Sequence, residues 1–125
     1  MDTIKLLLVD DEADFRDIMA AFFTRRKMTC HTASCCLEAL DLLGREQFDA
    51  VVMDVVMPGM DGLACMKEMH GVIPELPVII LTGNASLNTG IMSMKQGAFD
   101  FCMKPVDMQE LFEKVLLAGE KRRAA

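Results

Sequence analysis

The stretch that decides the fold is residues 49–59, DAVVMDVVMPG. Residues 50–53 are continuously apolar, Asp54 follows them directly, and Pro58 and Gly59 end the segment. A short apolar run bounded by turn residues predicts a strand that is buried on both faces. A carboxylate at the end of such a strand is costly to desolvate unless a cation or a hydrogen-bond donor pairs with it. The rest of the sequence must therefore supply a partner for Asp54.

Short apolar runs alternate with amphipathic stretches along the whole chain. The runs predict strands at residues 4–9, 28–32, 50–53, 78–81 and 99–103. Apolar residues at helical spacing predict a helix after each strand. In chain order, these residues are Phe15, Ile18, Met19, Phe22 and Phe23; Leu37, Leu40 and Leu43; Leu63 and Met66; Ile91 and Met94; and Leu111, Val115 and Ala118. The residues predicted to cap or begin the last four helices are Ser34, Asp61, Ser86 and Asp107.

This alternation predicts one α/β domain over residues 1–125. Strands joined by helices run parallel, with helices on both faces of the sheet. The first, third and fourth runs are continuously apolar, whereas the second and fifth alternate apolar with polar residues as edge strands can. The prediction is a doubly wound five-stranded parallel sheet in the order 2-1-3-4-5, the flavodoxin-like (βα)5 arrangement.

Composition and charge exclude several classes of function. A formal net charge of −6 over 125 residues argues against direct nucleic-acid binding. No apolar run reaches the roughly 20 residues of a membrane span, and the start of the chain lacks a signal peptide, so we expect a cytoplasmic protein without a membrane partner. The cysteines form no CxxC pair and no zinc spacing, so we expect reduced thiols that pack as small apolar residues: Cys30, Cys35, Cys36, Cys65 and Cys102.

Ligands of open α/β sheets bind at the carboxyl ends of the strands, and polar residues follow four of these ends. Asp10 and Asp11 follow the first strand, Asp54 the third, Thr82 the fourth and Lys104 the fifth. Three aspartates in one cleft repel one another unless Lys104 and a hard divalent cation such as Mg²⁺ compensate. A carboxylate beside such cations can attack a phosphoryl group, and Thr82 can donate a hydrogen bond to a phosphoryl oxygen. Taken alone, each residue could equally be a helix cap or part of a turn.

Two other classes share parts of this pattern. A flavodoxin-like cofactor binder needs Ser, Thr and Gly after the first strand to hold a phosphate, where Asp10 and Asp11 would repel it. A phosphatase with an aspartate nucleophile carries it after the first strand with a second acid two residues later, which residues 9–14 fit poorly. A flavin absorbance spectrum and turnover of a phosphate ester would distinguish these classes.

Four motifs occur in order: LLLVDDE at 6–12, VVMDVVMPGMDG at 51–62, VIILTGNAS at 78–86 and GAFDFCMKP at 97–105. With them the chain resembles the receiver domain of two-component response regulators, over essentially its whole length. The resemblance implies that Asp54 is the phosphoacceptor, and that Asp10, Asp11, Asp54 and the Val56 carbonyl bind Mg²⁺. It also implies that Thr82 and Lys104 contact the phosphoryl group, that Thr82 and Phe101 act as a switch, and that the Lys104–Pro105 bond is cis.

The resemblance also implies partners. The phosphoryl donor would be a phosphohistidine on a sensor histidine kinase or a phosphotransfer protein, and the signal would pass to an output domain or a target protein. The chain would catalyse only its own phosphorylation and dephosphorylation, and a homodimer is an open alternative. Partner choice would reside on the first helix, whose exposed residues are expected to include Asp14, Arg16 and Asp17. Val56 and Asn84 would flank the attacking water. Apolar Val56 cannot orient that water and favours a long-lived phosphoryl group, whereas Asn84 can orient it and acts in the opposite direction.

Overall fold

The structure, a computed structural model, describes residues 3–83 and 87–124. Strands and helices alternate strictly along the chain. The strands are β1 (Lys5–Val9), β2 (Thr29–Ala33), β3 (Ala50–Asp54), β4 (Val78–Thr82) and β5 (Asp100–Met103). The helices are α1 (Ala13–Arg25), α2 (Cys36–Arg45), α3 (Gly62–Val72), α4 (Leu87–Lys95) and α5 (Met108–Ala124). No helix in the described ranges is both long and apolar enough to cross a membrane.

The sheet confirms the predicted topology. All strand pairs are parallel and their order is β2-β1-β3-β4-β5. Val9 lies opposite Met53, and Asp54 lies opposite Leu81. The carboxyl ends of β1, β3 and β4 are therefore level, which brings the residues that follow or end these strands to one edge.

The two faces of the sheet carry separate apolar cores, as strands buried on both sides require. Helices α2 and α3 cover one face, where Leu43 and Met66 lie in one apolar cluster with Val51. Helices α1 and α5 cover the other face, where Phe23 and Leu111 lie in one cluster with the intervening side chains of β1, β3 and β4. Strands β3 and β4 are buried along their whole lengths.

The predicted apolar faces of α1 and α2 are partly wrong. Ile18 is 63% exposed and Leu37 is 75% exposed. In α1 the predicted residues Met19 and Phe23 are buried as expected. In α2 the buried stripe is Cys36, Ala39 and Leu43, of which only Leu43 was predicted. A helix of three or four turns can bury only one stripe, and adjacent apolar residues point in directions about 100° apart.

The predicted apolar face of α4 is wrong as well. Ile91 and Met94 are 45% and 42% exposed. The residues that face the sheet are Gly90 and Ser93, and the Ser93 hydroxyl donates to the Gly90 carbonyl at 2.6 Å. That bond satisfies a buried hydroxyl, so a polar residue can occupy the inner face. The predicted helix start at Ser86 lies outside the described residues.

Two of the predicted helix caps are confirmed. Asp61 accepts a hydrogen bond from the Ala64 amide at 2.8 Å, and Asp107 accepts one from the Glu110 amide at 3.1 Å. Ser34 is not the cap of α2, since Cys35 occupies that position and makes no side-chain cap bond. Ser34 instead donates from its backbone amide to the Glu38 carboxylate at 2.8 Å, which anchors the entry to α2 from one residue earlier.

The expectation of reduced thiols is wrong for two of the cysteines. Cys36 in α2 and Cys65 in α3 form a disulfide with a Cα–Cα distance of 5.8 Å. Both lie on the faces where the two helices meet, and their sequence separation of 29 hides this proximity from the sequence. Cys30, Cys35 and Cys102 are free thiols, as expected.

Candidate functional site

Asp54 ends β3 with its side chain enclosed, since only 4% of the residue is exposed. One carboxylate oxygen, Oδ2, accepts a hydrogen bond from Lys104 Nζ at 2.5 Å. The other, Oδ1, accepts one from the backbone amide of Val56 at 3.0 Å. Lys104 follows β5, two strands away across the sheet. This ion pair is the partner that the buried strand end required.

Asp10, directly after β1, is completely buried. Its Oδ1 accepts the Glu12 amide at 2.9 Å, whereas its Oδ2 has no hydrogen-bond partner within the described part of the chain. Burial raises the pKa of Asp10 from 3.8 to about 6, against the hydrogen bond from Glu12, and the negative charge of Asp54 adds to the rise. A buried carboxylate oxygen without a donor is poised to take a cation.

Thr82 ends β4 and is also completely buried. Its hydroxyl oxygen is the second buried side-chain atom without a hydrogen-bond partner among the residues described. Its carbonyl accepts the Lys104 amide at 2.8 Å, which attaches the start of the β5–α5 turn to the end of β4. The Lys104–Pro105 peptide bond is cis, in agreement with the sequence prediction.

Lys104 remains a cation in this setting. Burial lowers its pKa, but the hydrogen bond that Lys104 donates to Asp54 and the charges of Asp54 and Asp10 more than offset that effect, and the net pKa is raised. Its Nζ also lies 5.4 Å from the centre of the Phe15 ring, a cation–π contact. Sequence reasoning placed Phe15 in the core of α1 and missed this role, since nothing in the helical spacing links it to Lys104.

A second residue missed at the site is Arg16. It was expected to be an exposed residue of the first helix, but it is half-buried and its Nη1 donates to the Asp10 carbonyl at 2.7 Å. The guanidinium thereby holds the backbone that carries Asp10. Asp14 and Asp17 are exposed, as predicted.

The remaining predicted metal ligands are less enclosed. Asp11 is exposed, and Val56 is 70% exposed beside Asp54. Within residues 3–83 and 87–124, no three His, Cys, Asp or Glu side chains cluster closely enough to hold a metal by themselves. A Mg²⁺ ion does not need such a cluster, because it commonly takes one or two carboxylates and completes its shell with carbonyls and waters. The unpartnered oxygen of Asp10 and the adjacent Asp54 fit that donor set.

Phe101 lies on β5 opposite Ile80 of β4. Its ring packs directly on the backbone of Gly90 in α4, where a Cβ atom would come within 2.4 Å of ring atom Cε2. On the other side, Lys114 of α5 donates to the Phe101 carbonyl at 2.6 Å. Close packing against this ring is therefore the reason for a glycine inside this helix. The ring joins α4 to the strand that leads to Lys104.

Comparisons with known proteins identify the family of the chain. The family model described as the response regulator receiver domain matches residues 6–116. The chain belongs to this family. The receiver domain matches a solved receiver-domain structure from Clostridium thermocellum with a TM-score of 0.91 and 30% identity, over 97% of this chain and 98% of that one. NtrX from Brucella abortus gives a TM-score of 0.92 at 30% identity, over 98% of this receiver domain and 28% of the NtrX chain.

Curated relatives of the receiver domain are regulators. It is 39% identical over 118 residues to the response regulator protein PilR of Pseudomonas aeruginosa, a match that covers 94% of this chain and 26% of PilR. It is 38% identical over 103 residues to the DNA-binding transcriptional regulator NtrC of Klebsiella pneumoniae, over 82% of this chain and 22% of NtrC. The chain thus spans about a quarter of the length of these relatives.

Proposed function

We propose that this receiver domain accepts a phosphoryl group on Asp54 from a phosphohistidine of a sensor histidine kinase or a phosphotransfer protein. The observation that carries the proposal is the pairing of Asp54 with Lys104 beside two buried polar atoms, Asp10 Oδ2 and Thr82 Oγ1, that have no hydrogen-bond partner in the described chain. Unsatisfied buried groups of this kind cost free energy, and a ligand that satisfies them recovers it. A phosphoryl group with its cation offers both an acceptor for the hydroxyl and a charge for the carboxylate.

Mg²⁺ is the proposed cofactor, held by Asp10, Asp11, Asp54 and the backbone carbonyl of Val56. When bound, it would neutralise charge on the phosphoryl oxygens during transfer. The unpartnered Asp10 oxygen supports this choice, because a hard cation prefers carboxylate oxygen.

In the transfer itself, the chain's own groups around Asp54 act in the following way. A carboxylate oxygen forms the new O–P bond, the P–N bond of the phosphohistidine breaks, and the departing imidazole takes a proton from water. Lys104 keeps its positive charge because its pKa is raised, so it can follow the charge from the carboxylate to the phosphoryl oxygens. Thr82 donates its hydroxyl proton as a hydrogen bond to one of those oxygens. The domain would catalyse only this phosphorylation and its hydrolytic reversal.

The proposed output is a change in the surface formed by α4, β5 and α5. When the Thr82 hydroxyl turns toward the phosphoryl group, space opens beside it into which the Phe101 ring can rotate. That rotation would remove the ring from Gly90 and release α4. Phe101 has no hydroxyl to hold either position, so packing alone would bias the two states, and a free-energy difference of a few kcal/mol suffices for a switch.

The receiver domain would work in the cytoplasm and pass its signal to a linked output domain or a separate target protein. The names of the relatives PilR and NtrC support a regulatory output. Neither direct nucleic-acid binding nor membrane binding by this domain is part of the proposal, and a homodimer through the switching surface remains an alternative for the phosphorylated state.

The test is phosphoryl uptake from acetyl phosphate, followed by intact-mass analysis with Mg²⁺ and with excess chelator. We expect one added phosphoryl group only with Mg²⁺, its loss in Asp54→Asn, and full retention in the matched surface variant Asp17→Asn. Equal labelling of Asp54→Asn would overturn the assignment. Nuclear magnetic resonance of the free and beryllofluoride-bound protein would then test the switch, which is wrong if shifts stay confined to the loops around the site.

A further inference from the structure

The Cys36–Cys65 disulfide encloses the segment that carries the candidate phosphoacceptor. The crosslink has a sequence separation of 29, and β3 with its last residue Asp54 lies inside the covalent loop. Cys36 and Cys65 are 4% and 0% exposed, so the bond itself lies between the helices rather than at the surface. The oxidised protein therefore holds both flanks of this segment in one covalent ring.

Residues close to each end of the crosslink also contact the backbone of the site. On the α3 side, the Gly62 amide donates to the Val55 carbonyl at 2.8 Å, and the Gly62 Cα packs against the Asp54 carbonyl so closely that a Cβ atom would come within 2.4 Å. On the α2 side, the Asp10 amide donates to the carbonyl of Ala33, just before the entry to α2. A change in how α2 and α3 are held together is thus transmitted to Asp10 on the α2 side and to Asp54 and Val55 on the α3 side.

A groove of about 540 Å³ lies beside one end of the disulfide. Its walls include Cys35, Leu37, Pro58 and Met60, and Cys36 is part of its lining, whereas Cys65 is not. The approach is mainly apolar and wide enough for a small thiol. A dissolved thiol would therefore approach the disulfide from the Cys36 side.

We propose that the Cys36–Cys65 pair is a thiol–disulfide exchange site for low-molecular-weight thiols, and that its redox state sets the mobility of residues 55–62. A dissolved thiolate attacks Sγ of Cys36, forms a mixed disulfide there and releases the Cys65 thiolate, which takes a proton. A second dissolved thiolate attacks the sulfur of the bound thiol, the small disulfide leaves, and the Cys36 thiolate takes a proton. Two electrons pass from the two small thiols to the protein pair, and the oxidised small disulfide reverses the sequence.

The exchange is tested with the full chain in mixtures of reduced and oxidised glutathione, without phosphorylation. After an acid quench, the protein is denatured and alkylated, and the number of alkyl labels is counted by intact-mass spectrometry. The oxidised form has three free thiols among five cysteines, so we expect the label count to rise from three to five in one step as the mixture becomes more reducing. The matched variant Cys35→Ser, at a neighbouring residue of the same groove, should keep that two-label step. A constant label count in the wild type would overturn the site. So would a two-label step that persists in Cys65→Ser, or the loss of that step in Cys35→Ser.

The effect on mobility is measured by hydrogen exchange of wild-type protein in its oxidised and reduced forms, so that no variant has to fold. We expect amides of residues 55–62 to exchange about tenfold faster or more after reduction, with little change in β5, because local opening is governed by local restraints. Equal exchange in the two forms, or a uniform acceleration over the whole chain, would refute the coupling. Both measurements are independent of Asp54 chemistry, so failure here leaves the proposed phosphoryl transfer standing.

Discussion

Asp10→Asn should make the metal-free protein more stable, although Asp10 belongs to the candidate site. The folded protein holds this carboxyl with a pKa raised from 3.8 to about 6 by burial, with a contribution from the charge of Asp54. At pH 7 that difference corresponds to at most about 3 kcal/mol against the ionised side chain, at about 1.4 kcal/mol for each pH unit. An amide removes the charge, keeps an oxygen for the Glu12 amide, and can donate to Asp54.

The expected gain is about 1–3 kcal/mol, because the buried amide retains part of the desolvation cost. For a domain of this size it corresponds to a rise in melting temperature of about 4 °C for each kcal/mol. The gain depends on pH in a defined direction. Below pH 3.8 the carboxyl is protonated in both the folded and the unfolded chain, so wild type and variant should differ little. The difference should grow between pH 3.8 and about 6 and stay constant above.

Urea unfolding with excess chelator at pH 3.5, 5 and 7 would measure this. Asp11→Asn is the matched control, since Asp11 is exposed and loss of its charge should change the free energy of unfolding by less than about 0.5 kcal/mol. Added Mg²⁺ should stabilise wild type and do little for Asp10→Asn. The reasoning fails if Asp10→Asn is no more stable than wild type at pH 7, or if its gain is as large at pH 3.5.

Three further substitutions test contacts around the site. Gly62→Ala should destabilise the fold by about 1–3 kcal/mol, since the new Cβ would lie 2.4 Å from a backbone carbonyl oxygen of β3. In the control Gly71→Ala, in the same helix, the new Cβ meets no atom within 4 Å and should stabilise the fold by up to about 1 kcal/mol. Urea unfolding measures both changes. Gly90→Ala should push the Phe101 ring out of its position and shift its aromatic resonances in the unphosphorylated protein, and unchanged resonances would contradict the packing argument. Val56→Asn should shorten the lifetime of the phosphorylated form, because an amide can orient the attacking water where valine cannot; slower decay would reverse this reading.

Much of the fold was predictable because its main signal is local. Apolar runs such as residues 50–53 and 78–81 can be buried only as strands covered on both faces, and the alternation with helices then leaves few topologies. The proximity of Asp10, Asp54 and Lys104 could be predicted from that topology, since parallel strands bring their carboxyl ends to one edge of the sheet. The same argument placed Thr82 beside them.

The rest depended on contacts that sequence spacing does not record. The rotation of α2, which exposes Leu37, follows from its packing against α3, and the Cys36–Cys65 pairing follows from the same contact. Arg16 donates to a backbone carbonyl six residues away, a partner that no side-chain pattern indicates. Position 90 in α4 holds a glycine because the Phe101 ring of β5 occupies the space of a side chain, which only the assembled structure shows.

The covalent ring closed by Cys36 and Cys65 has a mechanical consequence. If a single molecule were pulled from its two ends, the chain segment between Cys36 and Cys65, a sequence separation of 29, could not be stretched while the disulfide is intact. At about 3.5 Å per fully stretched residue, the oxidised chain would reach a contour length about 100 Å shorter than the reduced chain. In force spectroscopy, β3 would remain shielded from the applied load until the sulfur–sulfur bond is cut, and the length of each unfolding event would identify that molecule's redox state.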